Sequence, residues 1–248
     1  MAEVSKTLVI VGAGPGLGLS LARRFGREGF RVALIARRRE SVDHMIEALA
    51  GDGIESAGFI ADIGNEAALN HAFTDIRKRF GRIDVLQFSP TPSPEGNAEK
   101  YSPVALDRPT MERLSQVQIL GAVSSVQAVL PEMLERGQGT IFITTTGSAF
   151  HIMPVYTPVG VVMAGLRNYA LCLHQVLSEK GVYAATVCIG VLIRPGDPLG
   201  DPDRLADRYF EMYTHGTEAE LVVTEGNDLN ELHDKDMAER GVDWQRPD

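Results

Sequence analysis

The chain has 248 residues, of which 44% are hydrophobic, 23% charged and 6% aromatic, the balance of a folded protein with a full core. Its formal net charge of −9 argues against a polyanion partner such as nucleic acid, because neutralising phosphates takes clustered Lys and Arg. Residues 225–248 hold eight acids against three bases, so a net −5 of that charge lies at the end of the chain.

Cys172 and Cys188 each lie inside an apolar segment and are expected as small buried side chains, not as a disulfide or metal pair. No uninterrupted apolar run approaches the roughly 20 residues that span a bilayer. The first strand begins within a few residues of Met1, with no charged and apolar leader before it. The expectation is a cytoplasmic protein with no membrane partner.

Along the chain, short apolar runs alternate with segments of helical period, which predicts a parallel sheet covered on both faces. The first strand is Thr7–Val11, and the helix after it places Leu17, Leu21 and Phe25 on one face before Gly29. Arg31–Ala36 is the second strand, followed by a helix with Val42, Met45, Ile46 and Leu49 at helical spacing. The third strand, Ser56–Ala61, leads into a helix through Leu69, Phe73, Ile76 and Phe80. A fourth strand over Ile83–Ser89 is followed by a loop at 90–109, rich in Pro, Ser and Gly and long enough to suggest a functional role. A long helix is expected over 110–136, kinked or ended by Pro131. Then come a strand at Thr140–Thr145, a strongly apolar helix near 158–180 and a strand at Val182–Ile189. A loop at 194–203, a helix at 203–214 and a short strand at 220–224 complete the pattern. The fold class is thus α/β: one doubly wound Rossmann-type sheet of about seven parallel strands over residues 1–224, with an acidic tail at 225–248.

Between the first strand and its helix stands Gly12-Ala13-Gly14-Pro15-Gly16-Leu17-Gly18. This strand–turn–helix setting is what a dinucleotide fingerprint requires. Gly12 permits the tight turn, Gly16 lets backbone approach a pyrophosphate, and Gly18 lets the helix pack closely on the sheet. An NAD site would carry a carboxylate after the second strand, but here the chain reads Ala36-Arg37-Arg38-Arg39. A guanidinium at Arg37 or Arg38 can grip a 2′-phosphate bidentately, so the cofactor expected is NADP(H). The plainer alternatives are a ligand-free glycine turn and a solvated basic start to the next helix.

With these residues the chain resembles the short-chain dehydrogenase/reductase family over about residues 5–192. The likeness rests on the glycine spacing at 12, 16 and 18, Asp62 after the third strand, and Gly81-Arg82-Ile83-Asp84-Val85-Leu86. It continues through Leu130-Pro131-Glu132-Met133, Gly139–Ile141, Ala164-Gly165-Leu166 and Lys180-Gly181-Val182. The resemblance implies that Asp62 and Ile63 contact the adenine, that Ser89 and Pro90 border the cofactor, and that Ile189 and Gly190 lie beside the nicotinamide. It also implies a homodimer or homotetramer, packed through the two long helices, and a small-molecule substrate.

The family's proton-handling residues do not carry over. Its helix Asn corresponds to Gln118 in Val117-Gln118-Ile119-Leu120-Gly121. Anchored without gaps on Ala164-Gly165-Leu166, the family's Ser, Tyr and Lys correspond to Thr146, Val159 and Met163. Reading Tyr156 as the catalytic Tyr needs a three-residue shift, and its i+4 residue is Gly160. In the family the Lys lowers the Tyr pKa and the phenol protonates the carbonyl oxygen; Val159 and Met163 can do neither. The remaining polar candidates are Thr146, Tyr156 and His151, with Thr144, Thr145, Ser148 and Tyr101 nearby in sequence.

Three functions fit this pattern. One is an NADP(H)-dependent oxidoreductase with an altered catalytic site, acting on an activated small apolar substrate such as an iminium or a conjugated alkene. Another is an NADP(H)-binding protein without redox chemistry. The third is a non-redox enzyme using His151 or Tyr156 as acid or base.

Overall fold

A computed structural model describes residues 5–91 and 102–224. The elements are β1 (Thr7–Val11), α1 (Leu17–Gly26), β2 (Arg31–Ala36), α2 (Arg39–Gly51), β3 (Ser56–Ile60), α3 (Glu66–Phe80) and β4 (Val85–Phe88), then α4 (Arg108–Ser115), α5 (Gly121–Arg136), β5 (Gly139–Thr146), α6 (Thr157–Leu177), β6 (Val182–Ile189), α7 (Pro202–His215) and β7 (Glu220–Val223). All seven strands pair in parallel, in the order β3-β2-β1-β4-β5-β6-β7.

Each inner strand is buried on both faces, which is why its sequence reads as a continuous apolar run instead of alternating. Leu8, Ile10, Val32, Leu34, Phe142 and Val187 meet α1, α2 and α7 on one side. Val9, Val11, Ala33, Ile35, Leu86 and Ile143 meet α3, α5 and α6 on the other. The predicted stripe Leu69, Phe73, Ile76 and Phe80 is buried along the whole of α3, and Asn65 caps that helix by accepting the Ala68 N–H at 3.0 Å.

Two expectations are corrected and a third is narrowed. Of the two outcomes expected at Pro131, a kink or an end, the helix does not end and runs on to Arg136; the Arg77 guanidinium donates to the carbonyl of Ala128, three residues before the proline. Cys172 is exposed on α6, whereas Cys188 is buried as expected. Residues 108–136 form one continuous run, α4 joined to α5 by a widened π turn at Gln116–Leu120, and that run is long and apolar enough by composition to cross a membrane. In the fold it lies against the sheet, burying Leu114, Gln118, Ala122, Val126, Val129 and Met133 along one face.

The order reverses between β1 and β4, so the connections after these strands depart to opposite sides and leave a crevice at their carboxyl ends. The glycine turn opens into that crevice. The predicted loop at 90–109 is described only at its two ends, α4 already begins at Arg108, and Tyr101 and the tail at 225–248 lie outside the described residues.

Candidate functional site

A cleft of about 380 Å³ sits over the crevice. Gly12, Gly14, Pro15, Gly16, Leu17 and Gly18 form one wall, Ser89 and Thr91 the end of β4, Thr144, Thr145 and Thr146 a ledge on β5, and Ile189, Val191 and Ile193 the far side.

The glycine wall is shaped by close contact on one side and open space on the other. Gly12 has φ +84°, and a Cβ added there would come within 2.5 Å of Pro90, so the turn and the β4 loop touch backbone to backbone. A Cβ on Gly14 or Gly16 would meet nothing within 4 Å, which leaves that backbone facing the cleft. No side chain caps the amino end of α1. An uncapped helix start over open glycine backbone fits an anionic group such as a pyrophosphate.

Arg37, Arg38 and Arg39 follow β2 and are all exposed, and none forms an ion pair among the described residues. Arg38 and Pro15, with Leu19, Glu40, Ser41, His44 and Met45, line a second hollow of about 320 Å³ beside the glycine turn. Asp62 is exposed and accepts the Gly64 N–H at 2.9 Å, while Ile63 is buried under Gly121. The π turn explains how these segments are held. Gln116 donates to the Gly64 carbonyl at 2.9 Å, and buried Gln118 donates to the Pro90 carbonyl at 3.1 Å. Gln118 therefore fixes the end of β4 and does not line the cleft. Gly190 is buried and bonds through its N–H to Val223 at 2.8 Å, outside the cleft lining.

Thr146 reaches the cleft, and its hydroxyl shares a 2.7 Å hydrogen bond with that of Ser148. Val159 and Met163 are 5% and 1% exposed, both within the core beneath α6. Tyr156 is half-buried at the end of the short 3-10 turn Pro154–Tyr156, just before α6. His151 packs against Phe150 with ring centroids 4.4 Å apart and planes tilted by 50°, and neither His151 nor Tyr156 lines the cleft.

Beneath the ledge, buried Gln87 donates to the Thr144 hydroxyl at 2.6 Å, which also bonds to the Tyr209 phenol of α7 at 2.6 Å. Complete burial pushes that phenol above its ordinary pKa, so it holds the ledge to α7 in its neutral form. On the other face, Thr145 bonds to Cys188, whose thiol is pushed up to about 11 by burial and is therefore a poor nucleophile. Sequence reasoning missed Thr91, Val191 and Ile193 as lining residues. Their only signal was position, directly after the expected Ser89-Pro90 and Ile189-Gly190.

Residues 6–194 match the model of the short chain dehydrogenase family. The chain belongs to the short-chain dehydrogenase family. Its dehydrogenase/reductase relative, SDR family member 4 of Sus scrofa, is 23% identical over 189 residues, covering 76% of this chain and 66% of the relative. A fatty acyl-CoA reductase of Mycobacterium tuberculosis is 25% identical over 196 residues, covering 77% of this chain and 64% of the relative. The chain thus spans just under two thirds of the length of these curated relatives. Among solved structures, a variant of actinorhodin polyketide ketoreductase with NADPH superposes with a TM-score of 0.81 at 22% identity, covering 93% of this chain and 99% of that one. L-Sorbose reductase from Gluconobacter frateurii, complexed with NADPH and L-sorbose, gives 0.78 at 19% identity, covering 91% and 97%. At these identities the superpositions speak for the short-chain dehydrogenase fold.

Proposed function

We propose that this short-chain dehydrogenase is an NADP(H)-dependent reductase of activated acceptors, compounds already charged or conjugated, and that it handles ordinary ketones poorly. The observation that carries this reading is the contrast between the two halves of the site. Open glycine backbone, an uncapped helix start and three exposed arginines after β2, with no ion pair among the described residues, suit a dinucleotide 2′-phosphate, while Val159 and Met163 lie sealed in hydrocarbon.

The cofactor, when bound, supplies a hydride at the nicotinamide ring. The chain's own part is to hold that ring against the Thr144–Thr146 ledge and to shield the acceptor with Ile189, Val191 and Ile193. Because Thr146 and Ser148 share one hydrogen bond, one of their two hydroxyl protons stays available to orient an acceptor. An alcohol of unshifted acidity does not protonate an alkoxide precursor well, and the Tyr/Lys pair that does so in the family is missing under the ungapped alignment. Reduction of an iminium carbon avoids the difficulty, since adding hydride to the cation gives a neutral amine with no proton transfer. Mixing the protein and NADPH with a cyclic iminium, cyclohexenone and cyclohexanone tests this: oxidation of NADPH with the first two and little with the third is expected, and fastest turnover of cyclohexanone overturns it.

A second reading, NADP(H) binding without redox chemistry, is favoured by the same sealed Val159 and Met163. Tight NADPH binding with no consumption across that panel would select it. In either case a homodimer or homotetramer packed through α5 and α6 is part of the proposal.

A further inference from the structure

The turn between β6 and α7 supplies one wall of the cleft, through Val191 and Ile193, and it is tied to itself unusually completely. Pro195 and Pro198 have no N–H to satisfy. Every other backbone N–H from Arg194 to Gly200 is donated within the turn. Arg194 donates to the Gly200 carbonyl at 3.1 Å and Asp197 to the Arg194 carbonyl at 3.3 Å. Gly196 donates to an Asp201 carboxylate oxygen at 2.6 Å. Leu199 and Gly200 both donate to Oδ1 of Asp197, at 3.0 and 2.8 Å.

Asp197 is the hub. It is 8% exposed, and its second oxygen takes the Arg194 guanidinium at 3.1 Å. Gly200 closes the turn so tightly that an added Cβ would lie 2.0 Å from the Leu192 carbonyl oxygen, the residue between the two that face the cleft. The turn leads straight into α7, which Asp201 caps and Tyr209 ties to Thr144 on the ledge. An ordinary surface loop leaves its amides to water and is free to move. Here those amides are consumed internally, and two prolines restrict what the unfolded turn can sample.

We propose that Asp197 is the positioning residue for the apolar wall of the cleft: it folds residues 191–201 into one conformation before any cofactor binds, so that Val191 and Ile193 form a ready-made hydrocarbon surface for the acceptor. The wall does not wait for the dinucleotide. Selectivity for apolar acceptors then depends on a carboxylate that touches neither acceptor nor cofactor. The acceptor part rests on the reductase reading above; the folding of the turn does not.

Hydrogen–deuterium exchange of the full chain, with and without NADPH, tests the folding directly. The amides of Leu199 and Gly200 are expected to be protected without cofactor and to slow by less than about threefold when NADPH is added. Asp197→Ala should speed their exchange at least about tenfold, and Asp197→Asn, which keeps an acceptor oxygen, should restore much of the protection. With cyclohexenone as acceptor, Asp197→Ala should raise KM about tenfold while kcat and NADPH affinity move far less. Exchange in the wild-type turn that becomes slow only with NADPH overturns the proposal, as does an Asp197→Ala protein with unchanged exchange or unchanged KM. If Asp197→Ala does not fold, Gly200→Ala disturbs the same turn without touching a charge and is read in the same way. If no acceptor is reduced at all, the reductase reading fails, while the exchange comparison still decides whether the turn is prefolded.

Discussion

In the proposed function Arg37 and Arg38 select NADP(H), since in a Rossmann-type fold the residue after the second strand faces the adenosine ribose. Both are exposed, so their value lies in what they pair with once a phosphate arrives. Replacing Arg37 by Ala should weaken NADPH binding about tenfold, the worth of one charge-assisted hydrogen bond, and leave NADH binding within about twofold. Fluorescence titration with each cofactor checks this, and equal losses for both would remove the 2′-phosphate from the explanation. Gly12 offers a sharper test at the same scale. Its φ of +84° disfavours any side chain, and a Cβ would meet Pro90 at 2.5 Å, so Gly12→Ala should abolish measurable NADPH binding and lower the melting temperature by several degrees, about 1–3 kcal/mol of strain.

At the scale of elements, the strands and helices were legible wherever one local pattern determined them. β2 and β6 fall where their apolar runs predict, and α3 buries its predicted stripe. The glycine turn was legible because a strand on one side and a helical face on the other leave it little alternative. Features set by tertiary contact were not. Pro131 reads as a kink or a stop, and the sequence does not say which; α5 continues past it, with Arg77 of a neighbouring helix at the Ala128 carbonyl. Cys172 sits in an apolar segment, but the helix turns it outward, because periodicity fixes a face only when the polar side is clear. The closed turn at 194–200 looked like any Pro-, Gly- and Asp-rich loop, since nothing local tells which N–H each carboxylate accepts. Capping, by contrast, is local: Asn65→Ala should cost about 1 kcal/mol, read as a lower urea midpoint with unchanged slope, and no shift would mean that water replaces the cap.

The whole molecule joins these parts through a few carboxylates and one exposed helical stripe. Glu220 on β7 is held below its usual pKa, first by its hydrogen bond to Arg167 of α6, with distances of 2.5 and 2.7 Å, and Asp197 and Asp201 are lowered mainly by backbone N–H groups. A carboxyl whose folded pKa is depressed adds stability above its unfolded value, near 4, and loses it as pH falls through the folded value. Stability should therefore hold from neutrality to about pH 5 and drop below that, with Glu220→Gln flattening part of the fall in urea titrations; an identical acid profile in the variant would exclude Glu220 as a contributor.

The exposed stripe concerns assembly. Val161, Ala164, Gly165, Asn168, Cys172 and Val176 lie at helical spacing along α6 and are all exposed, and Leu120 and Leu134 are exposed on the 108–136 run. Small and apolar exposed side chains of this kind suit a self-complementary contact between two copies related by a twofold axis. Such a contact also accounts for why the outer face of α6 carries small residues, since Gly165 and Ala164 allow close approach of helix backbones. Light scattering should then give twice the chain mass or a higher even multiple. Val161→Glu together with Val176→Glu should return a monomer of unchanged helix content, because two buried charges of like sign across the axis would each lack a partner. A wild-type monomer at micromolar concentration would rule out this assembly and leave the stripe without an account.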